Sequence, residues 1–160
     1  MTHQPVTTVI LIRHGERDDL QPADPDFPDP HLNEAGQARA QHLIHVVGQS
    51  GIKAIYTSSF VRTQEMADPL AQHLGLSTIQ KDDAPEIKHN ILSQHIGQTV
   101  LIIGHSNSVP ELIMQLGGED VPVIGEKEFD NLFIVTVFGS EKVSVTKLKY
   151  GDQSSSVATE

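Results

Sequence analysis

Three short segments concentrate the residue types that can bind and transfer an anionic group. They are Arg13-His14-Gly15-Glu16-Arg17, Thr57-Ser58-Ser59-Phe60-Val61-Arg62-Thr63 and Gly104-His105-Ser106-Asn107. The chain has four arginines, at 13, 17, 39 and 62, and nine histidines; three of the arginines and two of the histidines fall in these segments. Against 21 acidic side chains stand 11 basic ones, a formal charge of -10. Collecting Arg13, Arg17 and Arg62 in one place still costs mutual repulsion unless an anion is held among them. Guanidinium forks match phosphate oxygens in pairs, and amides at a helix N-terminus add further donors. If the segments meet, they make a phosphate pocket.

The elements around them say whether they can. Val6 to Ile12 is β-branched and almost continuously apolar, as expected of a strand buried on both faces. From Leu20 to Pro30 prolines alternate with aspartates, which reads as a long loop. Asn33 is positioned to cap a helix running to about Gln49, with a stop at Gly51. Lys53–Ser58 reads as a second strand, Val61–Leu74 as a helix ended by Gly75, and about Pro85–His95 as a weaker helix. Thr99–Gly104 is another buried strand and Val109–Leu116 a helix closed by Gly117-Gly118. Leu132–Phe138 and Lys142–Tyr150 flank Gly139-Ser140-Glu141 as a β-hairpin, the last strand at an edge. The fold class expected is α/β, a three-layer sandwich: a mainly parallel sheet, helices on both faces and the C-terminal β-hairpin. In such sheets ligands bind at the carboxyl ends of the strands, where all three segments begin.

A length of 160 residues suits one domain, expected over 1–151, with 152–160 a disordered tail that has nothing to bury. The absence of cysteine removes disulfides, thiolate zinc sites and Cys-nucleophile chemistry. The acidic balance argues against a nucleic-acid surface or a polybasic membrane patch. No apolar run approaches a membrane span, and Val9–Ile12 is too short for a signal-peptide core. A soluble, cytoplasmic protein with no nucleic-acid or membrane partner is expected. His42 and His45 share a helix face, but no carboxylate is arranged beside them, so an exposed polar face is favoured over a metal site. Gly104-His105-Ser106-Asn107-Ser108 resembles a nucleophile elbow, yet no histidine follows His105 to serve Ser106. That route fails on chain order.

Taken together, Arg13-His14-Gly15 after a buried strand, the helix Arg62 and the late Gly104-His105 resemble the histidine phosphatase (phosphoglycerate mutase-like) superfamily. Leu32-Asn-Glu-Ala-Gly36-Gln-Ala-Arg-Ala40 resembles that family's Leu-Thr-x-x-Gly-x-x-Gln-Ala segment. Ile55 to Ala67 resembles its Ser-Ser-x-x-x-Arg-x-x-x-Thr-Ala segment, with Met66 in place of Thr. The resemblance implies the phosphoglycerate mutase-like fold and a catalytic set of His14, His105, Arg13 and Arg62. His14 would be the nucleophile that becomes a phosphohistidine. Arg13 and Arg62 would bind the phosphoryl oxygens, and His105 would donate to the same group. Arg17 stands where Arg-His-Gly-x-Arg members have a further phosphate-binding arginine; pairing with Asp18 or Asp19 is the alternative. Attack requires an unprotonated ring nitrogen, and a backbone carbonyl, expected to be that of Gly15, can hold the other as N–H. Glu16 either orients His14 or caps the turn. No metal or organic cofactor is implied.

One part is missing from the pattern. Members acting on alcohol phosphates usually carry a carboxyl group, between the helix Arg and the second His, that protonates the leaving oxygen. Here Asp82, Asp83 and Glu86 are the candidates, without the mutases' Glu-x-x-x-Gly pattern and more in keeping with a solvated helix start. Losing such an acid costs on the order of 10²–10⁴-fold with alkoxide leaving groups and less with phosphoramidates or aryl phosphates. The Asp-rich loop after His14 is expected either to disfavour highly charged substrates or, through Asp18 or Asp19, to supply the proton. The expectation is a phosphatase acting on a phosphomonoester or phosphoramidate of a small molecule or phosphoprotein, with small phosphohistidine phosphatases the leading subtype. A phosphate- or phosphopeptide-binding module without turnover is the alternative from another class, and a mutase is disfavoured by the short chain.

Overall fold

The strand β1 (Val6–Arg13) is central because it is apolar on both sides. Val9 and Leu11 point into one core layer, and Ile10 and Ile12 into the other. The computed structural model describes residues 5–18, 29–139 and 142–154. The elements that follow β1 are α1 (Glu34–Val47), β2 (Ile52–Thr57), α2 (Val61–Leu74), β3 (Thr78–Gln80), α3 (Ala84–Gln94), β4 (Thr99–Gly104), α4 (Ser108–Gln115), β5 (Asn131–Phe138) and β6 (Lys142–Lys149). They form one six-stranded sheet in the order β3-β2-β4-β1-β5-β6. β3, β2, β4 and β1 run parallel, whereas β5 pairs antiparallel with β1 and β6 antiparallel with β5.

The two faces carry different helices. Leu43 and Val47 of α1 and Met66 and Leu70 of α2 pack on Ile10, Ile12, Ile55 and Leu101. Ile87 and Ile91 of α3 with Val109, Leu112 and Ile113 of α4 cover Val9, Leu11, Tyr56 and Ile102. The three layers match the architecture expected from the sequence. Met66, which stands where the related segment has threonine, is fully buried between the helices and the sheet. Among the described residues, no helix is long and apolar enough to cross a membrane.

Several boundaries follow local chemistry. Asn33 caps α1, its side chain accepting from the Gly36 N–H at 3.0 Å. Gly75 ends α2 in the left-handed conformation (φ 68°), which glycine adopts without Cβ strain. α1 stops at Gly48 rather than at Gly51, whose φ of 80° instead turns the chain into β2. β3 went unread because three residues give too short a pattern. The expected turn at Ser140-Glu141, Asp19 and most of the proline–aspartate loop lie outside the described residues.

The C-terminal expectation needs correcting. Residues 152–154 are not loose: Arg39 Nη2 donates to the Asp152 carbonyl at 2.8 Å, and Ser154 Oγ donates to Asp130 Oδ1 at 2.6 Å. Ser154 Oγ also accepts from the backbone N–H of Phe129 and of Asp130. Asp152 and Ser154 offer no apolar side chain, but the carbonyl of one and the hydroxyl of the other find buried partners. Residues 155–160 lie outside the described set.

Candidate active site

β1, β4 and β2 are neighbours, so the ends of all three emerge side by side. The His14 N–H donates to the Gly104 carbonyl at 2.9 Å, extending the β1–β4 ladder one residue past Arg13 and fixing the histidine backbone at the end of β4. Asn33 secures the other flank: its N–H donates to the Glu16 carbonyl, and its side-chain amide to the Arg17 carbonyl at 3.1 Å. Glycine at 15 and at 36 lets α1 approach this turn at backbone distance.

The reactive side chains meet in a cleft of about 510 Å³ that includes Arg13, His14, Arg17, Arg62 and His105 among its walls. His14 is 2 % exposed, with Nδ1 against the Gly15 carbonyl at 2.8 Å. A carbonyl only accepts, so Nδ1 carries the hydrogen. Nε2 is the basic nitrogen, and it accepts from Nε of Arg62 at 3.2 Å. Burial is the chief reason the His14 pKa falls to about 3, with Arg13, Arg62 and His105 adding to the shift. The His105 ring stands 5.3 Å from that of His14 at 64°. Its Nδ1 lies 3.5 Å from Arg62 Nη2 and its Nε2 2.8 Å from Ser58 Oγ. Burial, followed by Arg62 and Arg13, lowers its pKa to about 4.

Arg13 is held by backbone rather than by carboxylates. Its Nη1 lies 3.1, 2.8 and 2.9 Å from the carbonyls of Gly125, Glu126 and Glu128, and its guanidinium stacks 4.1 Å from the Phe129 ring centre. Its buried Nε has no partner among the described residues. Burial, with Arg17 and Arg62 nearby, lowers the Arg13 pKa to about 10. Close, desolvated like charges and an unmet donor are what an oxyanion would relieve. Arg62 faces a counter-charge: Asp29 Oδ1 lies 3.5 Å from its Nη1, while both Asp29 oxygens accept from the Val61 N–H at 2.9 and 3.0 Å. Arg17 lines the same cleft and contributes to the lowered pKa of Arg13 and Arg62.

The carboxylates sort themselves. Asp82 lines the cleft, with Oδ1 accepting from the N–H and hydroxyl of Ser59 at 2.9 and 3.1 Å. Asp83 caps α3 through the Glu86 N–H, and Glu86 binds Lys81 at 2.6 Å, so both are occupied in structural roles. Asp18 is exposed and does not line the cleft. Glu16 forms a two-pronged pair with Arg39 at 2.8 and 3.0 Å, and its carboxylate also accepts from its own backbone N–H. His42 and His45 lie 6.0 Å apart, and no group of three metal-ligating side chains occurs among the described residues. A separate groove of about 720 Å³ between the hairpin and residues 117–122 contains none of the arginines or histidines.

Asp29, expected beside the pocket as part of the Asp-rich loop, does face Arg62 there, whereas Ser58, Thr63 and the carbonyls at 125, 126 and 128 had no role expected from the sequence. Thr63 Oγ1 accepts from the Ser58 N–H at 3.1 Å and sits 2.9 Å from Ser58 Oγ, setting the hydroxyl that meets His105. The signal for Ser58 is its position, directly after β2. The carbonyl clamp on Arg13 has no side-chain signature at all.

The sequence from residue 9 to residue 92 matches the family model described as histidine phosphatase superfamily (branch 1). The chain belongs to the histidine phosphatase superfamily. No curated protein matches its sequence. Solved structures of the same fold include the protein histidine phosphatase SixA complexed with tungstate, at 19 % identity, TM-score 0.69, covering 89 % of this chain and 96 % of that one. A protein assigned as the phosphohistidine phosphatase SixA of Agrobacterium tumefaciens is 19 % identical, with TM-score 0.66 over 88 % of this chain and 97 % of that one. A mycobacterial glucosyl-3-phosphoglycerate phosphatase gives 14 % identity and TM-score 0.70 over 91 % of this chain and 98 % of that one. At these identities the likeness is one of fold. The superfamily member described here shares its three-layer architecture with phosphatases whose named substrates differ widely.

Proposed function

We propose that the protein is a phosphatase that hydrolyses a phosphomonoester or phosphoramidate through a phosphohistidine on His14. The observation that carries this reading is the orientation of one ring. Nδ1 of His14 is held as N–H by the Gly15 carbonyl, so its Nε2 presents a lone pair among Arg62, His105 and Arg13. Burial keeps the ring neutral at physiological pH, which a nucleophilic imidazole requires.

In the first step the Nε2 lone pair bonds to phosphorus while the bond to the leaving atom breaks, its electron pair departing with that atom. Substrate oxygens take over the Arg62 Nε–H that now points at Nε2, with Arg13 Nε and His105 as further donors. Arg17 extends the positive wall. Water then attacks the phosphohistidine, the P–N bond breaks, and inorganic phosphate leaves with Nε2 restored. Phosphoryl transfer depends mainly on position and charge stabilisation, which this arrangement supplies. Within the class, a small phosphohistidine phosphatase acting on a phosphoprotein or phosphorylated small molecule is the subtype we favour. Among the described residues no carboxyl group is hydrogen-bonded to His14 or His105 as a committed acid, and a nitrogen leaving group needs least help.

The test is hydrolysis of p-nitrophenyl phosphate from pH 4.5 to 8 by the parent, His14→Ala and His105→Ala. Turnover abolished in His14→Ala, with loss of a phosphoenzyme trapped by alkali-stable labelling, is the expected result. A folded parent that binds phosphate without turnover would instead make this a binding module.

A further inference from the structure

The outer wall of the cleft differs in character from its floor. Phe60 is 38 % exposed, stands edge-on to His105 at 5.1 Å and lies 4.6 Å from the Arg62 guanidinium. On the next residue back, Ser59 fixes the Asp82 carboxylate through two hydrogen bonds. Glu111, in the first turn of α4, is exposed and lines the same cleft. Lys81 also lines it, but its ammonium is bound to Glu86. Besides its arginines and histidines the cleft is lined by an aromatic ring and three carboxylates, of which Glu126 acts on Arg13 and Asp82 and Glu111 stand beside Phe60 on the way out.

We propose that Phe60, Asp82 and Glu111 set specificity for a planar, cationic nitrogen leaving group, the imidazole or guanidinium of an N-phosphorylated side chain. The proposal rests on the phosphatase function argued above. A flat cation packs favourably on an aromatic ring and beside carboxylates. A leaving group that carries its own carboxylate, as a phosphoglycerate does, meets Asp82 and Glu111 with like charge, and exclusion by repulsion is as effective a selector as attraction.

The same wall accounts for chemistry without a committed acid. When the N-phosphorylated ring is protonated, its second N–H can donate to the Asp82 carboxylate. As His14 Nε2 bonds to phosphorus, the P–N bond breaks and its electron pair stays on the ring nitrogen. The leaving group departs as neutral imidazole, with no proton required from the protein. An alkoxide has no such exit.

The experiment compares kcat/KM for a phosphohistidine peptide, a phosphoarginine peptide and 3-phosphoglycerate in the parent, Asp82→Asn and Glu111→Gln. Asparagine can still accept both Ser59 hydrogen bonds, so Asp82→Asn removes charge and leaves the turn intact. The expected result is a fall of tenfold or more in the preference for the N-phosphorylated peptides over 3-phosphoglycerate, with the two peptides showing which planar cation is preferred. An unchanged preference, or an equal loss on all three substrates, overturns the proposal. Absence of turnover on every substrate in the parent would defeat the phosphatase function rather than this selectivity. Calorimetric binding of a non-hydrolysable phosphohistidine analogue against 3-phosphoglycerate reads the selectivity alone, and equal affinities there overturn it.

Discussion

Gly15 and Gly36 meet backbone to backbone beside His14: a Cβ on Gly15 would lie 2.9 Å from the Gly36 Cα, and one on Gly36 would collide with the Glu16 carbonyl oxygen. The contact lets α1 press directly on the turn whose Gly15 carbonyl holds His14 Nδ1. Neither neighbour can yield, because both are backbone. Gly36→Ala is therefore expected to destabilise the fold by about 3 kcal/mol. Gly15→Ala should cost less stability but shift the carbonyl and lower kcat. Urea denaturation and p-nitrophenyl phosphate kinetics on the two variants check this, and an unaltered midpoint for Gly36→Ala would refute the packing argument.

The two site histidines make stability depend on pH in a defined window. Their folded pKa values, about 3 for His14 and about 4 for His105, lie below the unfolded value near 6.5. Between those limits the unfolded chain binds more protons. The stabilisation they represent is complete above about pH 6.5 and is lost as pH falls towards 3, with a slope of at most about 1.4 kcal/mol per pH unit for each proton. Solvent screening reduces the share of the less buried His105. A His14→Asn, His105→Asn double variant should show a flatter stability profile between pH 6.5 and 4 than the parent. Equal slopes would contradict the depressed values.

Asp29 both holds the α2 N-terminus and draws on the charge of Arg62. Asp29→Asn keeps an acceptor for the Val61 N–H and removes the counter-charge. Inhibition by inorganic phosphate should then tighten severalfold, read as a lower inhibition constant at fixed ionic strength. Asp29→Ala should also lose about 1 kcal/mol of stability with the cap.

Glu16 and Arg39 form a partly buried pair whose arginine also reaches the Tyr150 and Asp152 carbonyls at 2.9 and 2.8 Å. Burial opposes both charges, but the mutual hydrogen bonds outweigh it: the Glu16 pKa is lowered and that of Arg39 raised. Breaking one side leaves the other uncompensated, so Glu16→Gln is expected to cost about 3 kcal/mol. Removing residues 152–160 should cost less and act chiefly on KM, because Ser154 braces Phe129, the ring on which Arg13 stacks. Steady-state kinetics of the shortened chain, with its melting temperature as control, distinguish the two effects.

β1, β2, β4 and α2 are legible in the sequence because their signals are local: continuous β-branched runs, and a periodic stretch closed by Gly75. So is the meeting of Arg13, His14, Arg62 and His105 in one cleft, since unusual residue types stand at strand ends and in the first turn of α2. The partners of Arg13 were not legible, because peptide carbonyls at 125, 126 and 128 can be offered by any sequence. The partner of Glu16 is not legible for a related reason: Arg39 lies 23 residues away on a helix face that looks like ordinary surface. Ser154 had no apolar neighbour to betray that it docks.

The clamp on Arg13 has a consequence for how the protein becomes competent during synthesis. Every side chain proposed to touch phosphate has left the ribosome once residue 105 has emerged, yet the carbonyls that aim Arg13 come from 125 to 128. The brace behind them comes from residue 154. A nascent chain would thus carry the nucleophile long before its electrophile cradle exists, and hydrolytic capacity would switch on only as the last hairpin closes onto β1.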